Sequence, residues 1–219
     1  MQFKKLIKKI LPVTLSIGLS VINSEMDTKQ ALTKNNAETQ INRYSLENYE
    51  KNWLGDIRTV NVSVAADEEF IEKYGVLWKD KVNGFIKETS DNYYSNFGIE
   101  FKIVEYLQWK SDDFSHYSGL LNDLRKIYIN GDIMVAYTGQ RDIIFLGMTD
   151  NNYSIVENTW PKCTVYVTMH EVGHIFELKH IPDQGSFMHP FANFCYPKFA
   201  YWDESSKQKL LKNKYKIFE

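Results

Sequence analysis

Cysteine is nearly absent: the 219 residues hold two, Cys163 and Cys195. None stands directly after the N-terminal apolar run, which argues against a lipid-modified terminus, and none lies between residues 25 and 55. Charge of one sign is also missing. Lys and Arg number 26 against 28 Asp and Glu, a formal net charge of -2. That leaves no basic field suited to nucleic acid. There is no internal repeat and no low-complexity tract, and beyond the N-terminus no apolar run could span a bilayer. What is present is a globular composition, 43% hydrophobic and 15% aromatic. The length supports one domain with a real core, plus extra sequence at one end.

That extra sequence is N-terminal. Lys4, Lys5, Lys8 and Lys9 precede an apolar stretch from Ile10 to Ile22. A basic start followed by a short apolar run is the pattern of a signal peptide, here residues 1–24, and it implies a secreted protein. The alternative is an anchor over residues 10–22 that keeps the chain on a membrane. Residues 25–56 are polar, without apolar periodicity, and read as a linker or pro-segment. In an exported chain Cys163 and Cys195 either pair with each other or stay as free buried thiols. Sequence spacing does not decide between the two.

Residues 57–219 carry the periodic patterns of a folded domain. Thr59 to Val64 alternates polar and apolar, predicting a strand, and Asp67 is placed to cap a helix over about 68–96. Phe70, Tyr74, Leu77, Trp78, Val82, Phe85 and Ile86 supply that helix's apolar face, and Gly98 ends it. A strand from Ile99, a helix over about 117–129 and a nearly continuous apolar strand from Asp132 to Tyr137 follow. Ile143 to Met148 predicts another strand, and Tyr153 to Val156 a shorter one. Helices between the early strands imply parallel pairing. The close strands at 132 and 143 are expected to pair antiparallel, with one of them at an edge.

The chemistry gathers at His170-Glu171-Val172-Gly173-His174, an H-E-x-x-H motif. Four residues along a helix return to nearly the same face, so both imidazoles can reach one Zn²⁺ ion. Val165, Met169, Val172 and Phe176 form a narrow apolar stripe, from which His170 and His174 point nearly opposite, and Thr164 is the expected N-cap. Against this stands a bland reading, two surface histidines beside a salt-bridging Glu171. His180 lies six residues beyond His174. On a continued helix it would lie roughly 9 Å further along the axis and could not share a metal. A sharp turn after residue 176 would bring it back as a third nitrogen.

With Ser186-Phe187-Met188-His189-Pro190 downstream, the chain resembles the metzincin metallopeptidases, whose pattern is H-E-x-x-H-x-x-G-x-x-H followed by a turn containing Met. The resemblance implies an α/β (α+β) fold. It has a twisted mixed five-stranded sheet, long helices, an active-site helix and a small irregular C-terminal subdomain ending in a helix. It makes His170, His174 and His180 the ligands of one catalytic zinc ion, Glu171 the general base and Met188 the methionine of the turn. The implied activity is zinc-dependent hydrolysis of peptide bonds. The protein or peptide substrate would lie extended along the 143–148 edge strand, and Phe191, Phe194 and Tyr196 would wall a pocket within 189–197. A monomer is expected, with membrane contact only if the N-terminal segment is uncleaved. With no Cys in residues 25–55, a thiolate latch is excluded. The competing class is a protein that binds zinc without catalysis, secreted or membrane-tethered.

One position departs from the family pattern. Its glycine falls where this chain has Glu177, and a left-handed non-glycine residue costs roughly 1–2 kcal/mol. Either Glu177 adopts that conformation and His180 joins the site, or the turn shifts and Asp183 or water completes the shell.

Overall fold

Asp67 joins the first strand to the first helix and to the sheet's central strand. Its carboxylate accepts the Phe70 N–H at 2.9 Å, closing the helix N-terminus, and also the Thr138 hydroxyl and the Gly139 N–H. This computed structural model describes residues 55–111, 116–142, 145–191, 195 and 200–218. All of them lie in one unit, Tyr49–Glu219. The expected signal peptide at 1–24, the anchor at 10–22 and, apart from Gly55 and Asp56, the linker at 25–56 lie outside the described residues. Among the described residues no helix is long and apolar enough to cross a membrane.

Strand β1 (Arg58–Ala66) leads into helix α1 (Glu68–Tyr74), a single 3₁₀ turn (Gly75–Leu77) and helix α2 (Trp78–Phe97). Gly98, left-handed at φ 64°, ends α2 as expected. Strand β2 (Ile99–Gln108), helix α3 (Tyr117–Leu124) and strand β3 (Ile133–Thr138) follow. Next come strands β4 (Gly147–Asp150) and β5 (Tyr153–Glu157), then helices α4 (Pro161–Ile175) and α5 (Glu204–Lys212).

The five strands form one sheet in the order β2-β1-β3-β5-β4, parallel except for β4. Two cores cover its two faces. Ile133, Val135 and Tyr137 of β3 join Phe85, Val165 and Met169 on one face. Met134 and Ala136 join Leu120, Leu124 and Trp109 on the other. Burial on both faces explains why β3 reads as an unbroken apolar run.

Four expectations need correction. The helix expected over about 68–96 is two helices, α1 and α2, parted at Gly75 (φ 53°) by the 3₁₀ turn, which leaves Leu77 exposed rather than on the apolar face. Helix α3 stops at Leu124, not near residue 129. Beyond it the chain must approach β1, where a Cβ on Gly131 would lie 2.5 Å from the Ser63 nitrogen. The edge strand is antiparallel, but it pairs with β5, which lies between it and β3. Its described residues are Gly147–Asp150 rather than 143–148, because the Asn151–Asn152 turn sets the register, with Asn151 left-handed at φ 54°. Residues 143 and 144 lie outside the described residues. Finally, Thr164 does not cap α4. Pro161, preset for the first helical position, starts the helix a turn earlier with Trp160 as N-cap. Thr164 Oγ1 instead accepts the Thr159 N–H at 3.2 Å.

Candidate metal centre

Helix α4 is held by its apolar stripe. Val165, Met169, Val172 and Phe176 are all at most 4% exposed, and the buried Tyr93 hydroxyl donates to the Met169 carbonyl at 2.8 Å. This fixes the helix against α2 and aims His170 and His174 away from the core. The helix then ends abruptly. The Glu177 N–H donates to the His174 carbonyl at 2.8 Å, and the Leu178 N–H to the Gly173 carbonyl at 3.0 Å. These two bonds make a Schellman motif, which requires a left-handed residue between them, and Glu177 has φ 65°. Glu177 therefore adopts the first of the two conformations weighed from sequence.

The reversal brings His180 back. Its Nε2 lies 3.1 Å from His170 Nε2 and 3.0 Å from His174 Nε2, and the latter two are 3.0 Å apart. Tautomers follow from the other ring nitrogens. His170 Nδ1 is 2.6 Å from the Phe187 carbonyl and His174 Nδ1 is 2.9 Å from the Leu178 carbonyl. A carbonyl only accepts, so each Nδ1 carries the proton and each Nε2 presents a lone pair. Converging lone pairs repel unless a cation lies among them. Nitrogens on one tetrahedral zinc at about 2.0–2.1 Å stand roughly 3.3 Å apart, close to the spacing here. Burial pushes the His170 imidazole down to about 3, with His174 adding to the effect, and burial lowers His174 and His180 as well. Neutral imidazoles are the form that binds metal. These three residues could hold one ion, and they are the one such group among the described residues. Asp183 lies apart, accepting from the Gly185 N–H at 3.0 Å and from the Tyr201 hydroxyl.

Glu171 is 5% exposed and flanks the cluster. Burial raises its carboxyl to about 8, against the opposing pull of the Thr149 hydroxyl. That hydroxyl lies 2.7 Å from Glu171 Oε2 and 2.8 Å from Ser154 Oγ. Gly147 passes so close that a Cβ there would lie 2.6 Å from Glu171 Oε1. Strand β4 thus shapes the carboxylate's position from one side. Sequence reasoning missed both Thr149 and Gly147. A glycine inside a strand is a known sign of close approach, but its partner depends on the β4 register.

Met188 is fully buried against the helix, its sulfur 2.7 Å from where a Gly173 Cβ would stand. Its turn is tight. The Met188 N–H donates to Ser186 Oγ, the His189 N–H to the Ser186 carbonyl, and the Ile181 N–H to the Met188 carbonyl. Ser186 Oγ donates to Asp203 Oδ2 at 2.8 Å, and Asp203 also caps α5. Cys163 and Cys195 form a disulfide with Cα atoms 4.6 Å apart. It closes the loop that carries all three histidines, Glu171 and Met188.

The site opens into a cleft of about 420 Å³ bounded by Gly147 to Asn151, Leu146, Val167, Pro190 and the exposed Phe191. Phe194 and Tyr196 lie outside the described residues. Tyr201 bonds Asp183 at the surface. His189 turns its Nδ1 to the Phe191 backbone.

The profile of the metallo-peptidase family M12 (Reprolysin_5) matches residues 56–207. Among solved structures, archaemetzincin from Methanopyrus kandleri is similar with a TM-score of 0.55 at 18% identity, covering 74% of this chain and 98% of that one. A structure described as a chaperone-substrate complex is similar with a TM-score of 0.58 at 15% identity, covering 75% of this chain and 35% of that one. No individual curated sequence matches. The structural likenesses show a shared fold, and the profile spans more than half the chain with the histidine cluster inside it. The chain belongs to the metallo-peptidase family M12 and is a metallopeptidase of the metzincin type.

Proposed function

We propose that this protein is a secreted endopeptidase in which His170, His174 and His180 hold one catalytic zinc ion and Glu171 is the general base. The carrying observation is the convergence of three Nε2 atoms within 3.1 Å of one another beside a buried carboxylate in an open cleft. A zinc ion at that point supplies Lewis acidity, polarising a peptide carbonyl and lowering the pKa of water towards about 7. Its charge also favours the ionised form of the neighbouring Glu171.

The chain's own residues do the rest. Among the described residues β4 is an edge of the sheet and lines the cleft, and an extended substrate can add to it as a further strand. Glu171 takes a proton from the attacking water as the water oxygen bonds to the carbonyl carbon. It then delivers that proton to the amine nitrogen as the C–N bond breaks. Thr149 keeps the carboxylate turned for both transfers. Met188 acts as the methionine of the family's turn, a floor under the histidine-bearing helix. Leu146, Val167 and Phe191 give the cleft an apolar wall.

Export is supported by the basic and apolar start of the chain and by the disulfide, which suits an oxidising compartment. Zinc content and cleavage of a peptide library by residues 25–219 test the reading. One equivalent of zinc and chelator-sensitive cleavage within the chain of the peptides are expected. Undiminished cleavage after complete removal of metal would contradict it.

A further inference from the structure

The left-handed Glu177 stands where glycine would cost nothing, and its side chain is not idle. Lys209 Nζ lies 3.3 Å from its Oε2 and Lys216 Nζ lies 3.2 Å from its Oε1. The Asn213 side-chain amide donates to Oε2 at 3.2 Å and to the Phe176 carbonyl at 2.8 Å. Lys216 Nζ also donates to the Ile175 carbonyl at 3.1 Å. Two C-terminal residues thereby satisfy terminal carbonyls of α4, and Lys216 brings a positive charge to the negative end of that helix.

The segment that supplies them is itself tied down. The Lys214 ammonium and the Tyr215 hydroxyl donate to the Asp56 carbonyl at 2.7 and 3.1 Å, and Arg58 donates to the Lys216 carbonyl at 3.0 Å. One exposed ion pair contributes little. Here three donors converge on one carboxylate, from a segment anchored to the start of β1, and two of them also cap the helix.

What this holds matters for the histidines. The carbonyl of Leu178, the next residue, accepts a hydrogen bond from His174 Nδ1–H at 2.9 Å, and His180 follows two residues later. The backbone at Glu177 therefore sets both the ring orientation of His174 and the return of His180.

We propose that Glu177 is a positioning residue for the metal site, and that the C-terminal residues Lys209, Asn213 and Lys216 clamp its strained backbone in place of the family's glycine. The inference rests on the reading of the three histidines as metal ligands. It makes Lys209, Asn213 and Lys216 part of the machinery that holds the third ligand, although none of them lines the cleft.

The test compares full-chain wild type, Glu177→Ala and Glu177→Gly. Alanine keeps the backbone strain and loses the clamp; glycine loses the clamp and the strain together. Zinc affinity is measured by chelator competition, and the visible spectrum of the cobalt-substituted protein reports the ligand set. Unfolding of the metal-free proteins is followed in parallel, with binding measured well below every midpoint. Glu177→Ala is expected to lose roughly tenfold in affinity and to show an altered cobalt spectrum. Glu177→Gly is expected to stay within about threefold of wild type with the wild-type spectrum. Wild-type affinity in the alanine variant, or an equal loss in both variants, would overturn the clamp. Wild-type protein that binds no zinc would overturn the ligand reading, and the clamp with it.

Discussion

Thr149 Oγ1 lies 2.7 Å from Glu171 Oε2, on the edge strand that also brings Gly147 against the same carboxylate. A hydroxyl in this place orients the proposed base without touching the metal ligands. Thr149→Val should therefore lower kcat by roughly ten- to a hundredfold, a part of what a general base contributes, while zinc content stays at one equivalent. Thr149→Ser keeps the hydroxyl and should retain most of the activity. Steady-state kinetics with metal analysis checks this, and an unimpaired valine variant would show that Thr149 does not orient Glu171.

The Cys163–Cys195 bridge closes a span of 32 residues around the site. Loop-closure entropy for that span gives roughly 3–4 kcal/mol of stability. The Cys163→Ala/Cys195→Ala double variant should unfold at correspondingly lower urea concentration. It should also lose zinc faster, since the wall around Pro190 and the start of α4 are no longer tied. An unchanged urea midpoint would show that the bridge does not constrain the unfolded chain.

The metal-free protein should respond to pH through its buried site. Glu171 keeps its proton up to about 8 in the fold, above the ordinary 4.5. Its contribution to stability is thus full below 4.5 and lost as pH rises through about 8. His170, lowered to about 3 from 6.5, acts oppositely, and its contribution is lost as pH falls below 6.5. The two oppose each other between 4.5 and 6.5, and from 6.5 to 8 Glu171 acts against no histidine. Over that last window the metal-free wild type should lose stability, by at most about 1.4 kcal/mol per pH unit. Glu171→Gln should stay flat. Urea titrations of chelator-treated protein at both ends of the window decide it, and parallel curves for the two proteins would refute the burial effect.

The helix at His170 was readable because its apolar stripe repeats at the helical period, and β3 because burial on both faces leaves an unbroken apolar run. Strand order was partly readable. That β5 separates β3 from β4 is a long-range choice, and no local pattern near residue 143 encodes it. The same choice hides Thr149 and Gly147, whose roles exist only once β4 has its register beside α4. Glu177 showed the turn as a conflict between a residue and a conformation. Its resolution lies in Lys209, Asn213 and Lys216, more than thirty positions later, where spacing carries no signal. The cysteine pair could not be decided from sequence, because a bridge depends on the Cα separation and only the fold supplies that.

In the proposed reaction Glu171 moves the proton while the three histidines hold the metal. Glu171→Gln, similar in size but unable to accept the proton, tests it most directly, with zinc content and kcat/KM measured on the same preparation. Glu171→Gln is expected to hold one equivalent of zinc, as wild type does, and to lose roughly a thousandfold in kcat/KM. A zinc-loaded Glu171→Gln protein that cleaves peptides at the wild-type rate would contradict it.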